Sequence, residues 1–171
     1  MSLDTQGSPG LARDSEGGTM DAGPVPAATG ANTPPRWEHL TRGTARAVRG
    51  VGRSEEEALE QAAVALCALV ADPTQVEVRE EVSVECDAKD LDSLLADWLG
   101  AILHNMSARR LRFRCFAVRL DGRRLFGHAF GEHVDPARHH GVMEPRGVSL
   151  TKPVVRGTAD GRWTAECEVH G

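Results

Sequence analysis

The sequence predicts an α+β domain, a mostly antiparallel sheet with two main helices packed on one face. Three observations carry this. Two segments of helical period each follow an N-capping residue, Ser54 and Asp90. Runs of alternating apolar and polar residues surround them. Two Asp-Gly pairs, Asp121-Gly122 and Asp160-Gly161, separate such runs as turns do.

The first 36 of the 171 residues hold six Gly and five Pro. All seven aromatic residues lie after them. A segment so poor in large apolar side chains cannot offset its ordering entropy, so residues 1–36 are expected to be a disordered Gly/Pro/Ala-rich tail. Residues 37–171 are expected to form the folded domain.

Trp37 to Leu40 reads as a strand, and Thr44 to Val51 as a second extended run. Ser54 with Glu57 three residues later has the form of a capping box. Leu59, Ala62, Ala63, Leu66 and Val70 then share one helix face, and Asp72-Pro73 ends that helix. Val76, Val78, Val82 and Val84 alternate with charged residues, as one strand broken at Glu80-Glu81 or as a strand pair. Asp90 caps a second helix whose stripe is Leu91, Leu94, Leu95, Trp98, Ile102 and Met106. Leu111–Leu120 and Arg123–Gly131 read as strands joined by Asp121-Gly122, a type I′ signal. Asp135 to His139 is a turn, and Val148–Arg156 and Trp163–Val169 are a last strand pair.

The net charge of −5 argues against wholesale coating by nucleic acid. Seven arginines nevertheless fall between Arg109 and Arg124. Arg110, Arg112 and Arg114 alternate with Leu111, Phe113 and Cys115, which on a strand gives a basic face and an apolar face. Such a face suits RNA phosphates, an acidic protein patch, or ordinary solvation. No aromatic residue interleaves with them as a base-stacking platform would need. Cys67, Cys86, Cys115 and Cys167 form no CxxC pair and read as reduced, buried, small apolar residues. No secretory or membrane-spanning run is present, so a cytoplasmic location and no membrane partner are expected.

His128, His133, His139 and His140 lie close together, with Glu132 and Asp135 between. Their spacing matches no compact zinc pattern, and turn or surface roles are favoured. Glu55-Glu56-Glu57 complements the helix dipole, and Gly50-Val51-Gly52 lacks a following phosphate-loop pattern. No nucleophile, base and acid set stands out.

Trp37, Leu40, Gly52, Ser54, Glu57, Ala58 and Leu59 resemble, in register, the opening of the archease family. Leu91 to Leu103 is similar to that family's Leu-Leu-x-x-Trp-Leu helix. Gly131-Glu132-His133-Val134-Asp135-Pro136-Ala137-Arg138-His139 is similar to its Gly-Glu-x-hydrophobic-Asp-x-x-Arg-His signature. Glu144, Val148 and Trp163-Thr164-Ala165 continue the match. The resemblance implies an archease-like two-layer domain and an accessory role beside the tRNA-splicing RNA ligase. That role is non-catalytic: promoting guanylylation and repeated turnover, with tRNA or RNA reached indirectly. It also implies a Ca²⁺ site.

At the positions of that site the residues depart from the family pattern. Its Asp-His-Thr-Ala-Asp motif reads Thr41, Arg42, Gly43, Thr44 and Ala45, so the metal-binding Asp corresponds to Ala45. The carboxyl-terminal Asp corresponds to His170, the family Lys to Arg146, and part of its Tyr-His-Gly to Thr151. A hard cation needs several oxygen ligands, so Ca²⁺ is not expected to bind here. The alternative reading is a divergent archease-fold binding module with a different protein or ligand partner. The remaining one, a metal-dependent enzyme built on the histidines, is the least favoured.

Overall fold

The computed structural model describes residues 33–171, so the expected tail over 1–36 lies outside it but for its last four residues. The elements are β1 (Arg36–Arg42), β2 (Ala45–Gly52), α1 (Glu55–Val70), β3 (Glu80–Asp87), α2 (Leu91–Ala108), β4 (Leu111–Asp121), β5 (Arg124–His133), β6 (Ser149–Gly157) and β7 (Trp163–His170). A 3-10 turn, Pro73–Gln75, follows α1. The α+β class stands, and all the strand pairings are antiparallel. The strands divide into two sheets, β1-β2-β7-β6 and β3-β5-β4. Alternation marks a strand as half-buried but does not name its neighbours, so this division was not legible in the pattern.

Both helix starts form as their caps predict. Ser54 Oγ accepts the Glu57 N–H at 3.2 Å, and Asp90 Oδ1 accepts the Ser93 N–H at 2.8 Å. The capping box is altered on its return side. Glu57 accepts from the Arg53 N–H (2.8 Å) rather than from Ser54, because the Arg53 guanidinium also holds that carboxylate.

Helix α1 lies on β2 at backbone contact. A Cβ on Gly50 would overlap the Ala58 carbonyl oxygen and the Ala62 nitrogen, and one on Gly52 would overlap Glu57 and Ala58. The small residues Ala58, Ala62, Ala63 and Ala65 are fully buried along the helix. The opposite flank of α1 packs on β4 of the second sheet. Trp98 of α2 is fully buried and donates from Nε1 to the Leu59 carbonyl of α1 at 3.0 Å. Its ring meets Phe116 edge-on at 5.7 Å and leaves no room for a side chain at Gly127. One indole thus ties α1, α2 and the three-stranded sheet together.

Two expectations along β4 need correction. The β4–β5 turn is Gly122-Arg123, and only Gly122 has positive φ (62°). Type I′ requires both central residues positive, whereas a single positive φ at the first matches type II′. Cys115 is exposed, not buried. The register of β4 against β5 shifts between Phe113 and Cys115, leaving Arg114 as a bulge residue. The bulge turns Cys115 outward and sends Phe116 into the core. It also breaks up the expected basic face. Arg112 turns its Nη1 to the carbonyls of Met106 and Leu111, and Arg114 to that of Val76. Of the other cysteines, Cys67 and Cys167 are buried and Cys86 is half-buried. Burial pushes the Cys86 and Cys167 thiols up to about 11.

Of the alternating run from Val76 to Val84, only the part from Glu80 onward is a strand, after an irregular stretch in which Val76 is buried and Val78 exposed. Two helix carboxylates guard sheet edges. Glu60 accepts the Val118 N–H of β4, and Asp92 accepts the Val155 N–H of β6, both at 2.8 Å. β4 and β6 are edge strands, so each contact satisfies a donor that would otherwise invite another chain.

A matched pair of substitutions tests the close approach. Gly50→Ala forces α1 off β2 and is expected to cost about 1–3 kcal/mol or more. Gly100→Ala, in the interior of α2 with open space around the new methyl, is expected to stabilise by roughly 0.4–1 kcal/mol. Urea midpoints of the two variants and the parent protein check both.

Candidate functional site

Strand register alone builds the site. Arg42 pairs with Ala45 across the β1–β2 hairpin, whose turn is Gly43-Thr44 with Gly43 at φ 64°. Arg46 pairs with Val169, so Ala45 and His170 arrive together at the next position along β2 and β7. Ser149 of β6 pairs with His170, which brings β6 alongside. The result is a cavity of about 250 Å³ lined by Thr44, Ala45, Arg46, Met143, Val169 and His170. His170 Nε2 hydrogen-bonds Thr151 Oγ1 at 2.9 Å and lies 3.6 Å from Glu168 Oε1. The other Glu168 oxygen is 3.5 Å from Lys152 Nζ.

Lys152 adopts a left-handed φ of 54° within a register shift that ends at Val154. The shift turns its ammonium toward Glu168. Ala45 contributes only a methyl. Among the described residues, no group of three or more His, Cys, Asp or Glu side chains gathers as a metal ion would need.

The other family-site positions go elsewhere. The Arg42 guanidinium reaches Glu166 at 2.8 Å. Glu166 also holds Arg49 (3.0 Å), Arg49 holds Glu38 (3.2 Å), and Glu38 holds Arg36 (3.1 Å). This ladder of alternating charge covers the face of β1, β2 and β7 turned away from α1. Arg146 lies apart, lining a cavity with Arg110, Arg112 and Glu144. The structure therefore joins Ala45, His170 and Thr151, sets Arg42 into an ion-pair ladder beside them, and separates Arg146. Sequence reasoning did not single out Lys152. Glu166, Glu168 and His170 share one face by simple period-two spacing, the signal that could have grouped them.

The Gly-Glu…Asp…Arg-His signature forms a single buried knot. Glu132 is 4% exposed and accepts from both Arg138 Nη atoms at 2.9 Å and from the Glu77 N–H at 2.8 Å. His139 Nε2 reaches the same carboxylate at 3.0 Å, while its Nδ1 accepts the Asp135 N–H at 2.8 Å. The second bond fixes the tautomer, with the proton on Nε2 aimed at Glu132. Arg138 also bonds Asp135 (3.1 Å) and the Gln75 carbonyl (2.7 Å). Hydrogen bonds from Arg138 hold the Glu132 carboxyl down to about 2 against the opposing effect of burial.

The other histidines are scattered among separate partners. His128 pairs with Glu81 at 2.5 Å, His133 pairs with Glu80, and His140 meets the Ala137 carbonyl at 3.2 Å.

Comparisons with known proteins fit this geometry. The Archease protein family profile matches residues 37–169. The chain is 34% identical over 135 residues to protein archease of Pyrococcus abyssi, covering 77% of this chain and 95% of that protein. It is 35% identical over 134 residues to protein archease of Methanopyrus kandleri, covering 76% and 95%. The solution structure of Methanobacterium thermoautotrophicum protein 1598 shares the fold with a TM-score of 0.60. That likeness holds at 22% identity and covers 79% of this chain and 98% of the other.

The Glu132 knot sets an acid limit. A free Glu carboxyl titrates near about 4.3, so between there and about 2 the unfolded chain binds a proton that the folded chain refuses. The stabilisation is complete above about pH 5 and is lost as pH falls toward 2. Glu132→Gln is expected to lower the urea midpoint at pH 7 and to flatten its fall between pH 5 and 2. A midpoint series across that range measures both.

Proposed function

The chain belongs to the archease family, and on that premise we propose that it is a non-catalytic accessory protein of an RNA ligase. It would promote guanylylation and turnover of that ligase in tRNA splicing or RNA repair in the cytoplasm, without the family's Ca²⁺ site. The single observation that carries the reading is the family match over nearly the whole described domain, with the Glu132–Asp135–Arg138–His139 segment joined in one hydrogen-bonded knot. No helix among the described residues is long and apolar enough to cross a membrane.

The residues at the family's metal positions do not fit a hard cation. Ca²⁺ takes roughly six to eight oxygens at close range. Here Ala45 has none, His170 presents nitrogen, and Glu168 is shared between His170 and Lys152. Arg46 of β2 adds positive charge to the wall of the same cavity. On this reading Ala45 and His170 stand where two ligands would be, within intact β2 and β7, and the accessory role operates with no bound ion.

A specific observation favours a second reading. Of the five expected family-site positions, Arg42 is tied to Glu166 and Arg146 lies apart beside Arg110 and Arg112, so the five do not gather at one site. A binding module turned to another partner would show the same pattern. A ligase assay separates the two. With its cognate RNA ligase, the protein is expected to raise the guanylylation rate and the number of turnovers, equally with and without a Ca²⁺ chelator. Absence of any stimulation would instead assign the chain to the second reading. A gain-of-ligand test addresses the site itself. The double variant Ala45→Asp, His170→Asp is expected to bind Ca²⁺ measurably in calorimetric titration, and the parent protein not to.

A further inference from the structure

Two cavities adjoin at the C-terminal end of α2. The smaller, about 80 Å³, is lined by Ser107, Arg110, Arg112, Glu144 and Arg146 among others. The larger, about 400 Å³, is an open trough whose walls include Leu103, His104, Val148 and Leu150. They share Ser107, Pro145 and Arg146.

The smaller cavity is over-supplied with positive charge. Arg42, Arg49 and Arg138 each hold a carboxylate, whereas Arg110, Arg112 and Arg146 are in no ion pair among the described residues. Arg112 is half-buried and spends its Nη1 on the Met106 and Leu111 carbonyls. Its Nε is shielded from solvent with no hydrogen-bond partner. Burial lowers the Arg112 pKa, with Glu144 the main influence opposing the shift. A buried guanidinium nitrogen left unbonded is costly, and a guanidinium fork matches an oxyanion.

Arg110 is held in place at some expense. It follows α2 with φ 55°, a conformation that suits glycine, and its carbonyl is fixed by the Val134 N–H at 2.9 Å. An arginine where glycine would be relaxed is the kind of local strain found at binding sites.

We propose that the two cavities form one phosphomonoester site, with the phosphoryl group among Arg110, Arg112 and Arg146 and the body of the molecule in the adjoining trough. Three guanidiniums against one Glu144 carboxylate leave a formal excess of two positive charges. A phosphomonoester carries about −1.5 to −2 near neutral pH and balances that excess. A carboxylate or a phosphodiester carries a single negative charge and leaves half of it unmatched. The Ser107 hydroxyl adds a neutral donor to the wall. The trough, with Leu103, Val148 and Leu150, offers an apolar seat for the rest of the ligand. The site stands apart from the ladder on β1, β2 and β7 and from the ligase reading. A free phosphorylated small molecule and the phosphorylated end of a nucleic-acid strand present the same chemistry to it.

Calorimetric titration tests this at fixed ionic strength with inorganic phosphate, a nucleoside 5′-monophosphate, the unphosphorylated nucleoside, a 5′-phosphorylated RNA oligonucleotide and an oligoglutamate peptide. Phosphate is expected to bind, and the monophosphate to bind more tightly because the trough is filled. The nucleoside alone is expected not to bind. Whether the mononucleotide or the oligonucleotide binds more tightly identifies the source, and either order supports the proposal. Arg110→Gly is expected to weaken phosphate binding about tenfold or more. The same variant is expected to unfold at a temperature no lower than the parent, since it relieves the positive φ. That combination separates a ligand role from a structural one. Arg146→Ala is expected to weaken binding similarly.

The proposal is overturned by any of three results. The first is no phosphate binding up to about 10 mM, a weak-binding limit. The second is equal binding by the parent and an Arg110→Gly, Arg146→Ala double variant. The third is oligoglutamate binding more tightly than every phosphorylated probe.

Discussion

Helix α1 lies so near β2 that Gly50 and Gly52 can carry no side chain, and the rest of the molecule is arranged around that contact. The approach lets a helix rich in alanine bury its backbone as well as its side chains. It also leaves the far flank of α1 free to meet β4 of the other sheet. From there the constraint propagates through named atoms. The Leu59 carbonyl receives the Trp98 indole, and Trp98 sets how close α2 comes to Gly127 on β5. The Ala65 carbonyl is hydrogen-bonded to His39 Nε2 at 2.7 Å, which pins β1 to the same helix. A single helix thereby positions both sheets, and the register it imposes on β2 delivers Ala45 beside His170.

That delivery separates scaffold from chemistry. Strand pairing brings the two positions together whatever side chains they carry, because the hydrogen bonds of the ladder run through the backbone. A methyl at Ala45 and an imidazole at His170 are therefore both compatible with the fold. The neighbouring charges are satisfied internally instead. Arg42 and Arg49 share Glu166, Lys152 and His170 flank Glu168, and Thr151 bonds His170. The Glu132 knot, by contrast, is retained in full. Its role is to fasten the 75–79 stretch and the 135–139 turn to the end of β5.

What the sequence made legible was local. Ser54 and Asp90 cap their helices because a side-chain oxygen needs only a donor three residues on, and the stripe from Leu94 to Met106 is buried as its period requires. What it hid was non-local or set by a single irregularity. The pairing of β2 with β7 joins residues more than a hundred positions apart, so neither the two-sheet division nor the Arg42–Glu166 contact could be read from alternation. One extra residue at Arg114 reversed the facing of Cys115 and broke up the supposed basic face. Family register named Ala45, Thr151, His170 and Arg146 as site positions without saying which lie together; the structure sets the first three at one end of β2, β6 and β7 and Arg146 beside Arg110 and Arg112.

The proposal that the scaffold holds no cation beside Ala45 and His170 is open to one direct measurement. Mn²⁺ substitutes for hard divalent ions at oxygen-rich sites and broadens the NMR signals of nuclei near it. Titrated into isotopically labelled protein, it is predicted to leave the backbone signals of Ala45, Thr151 and His170 no more affected than exposed carboxylates elsewhere on the surface. Selective broadening of those three at stoichiometric Mn²⁺, reversed by added Ca²⁺, would contradict it.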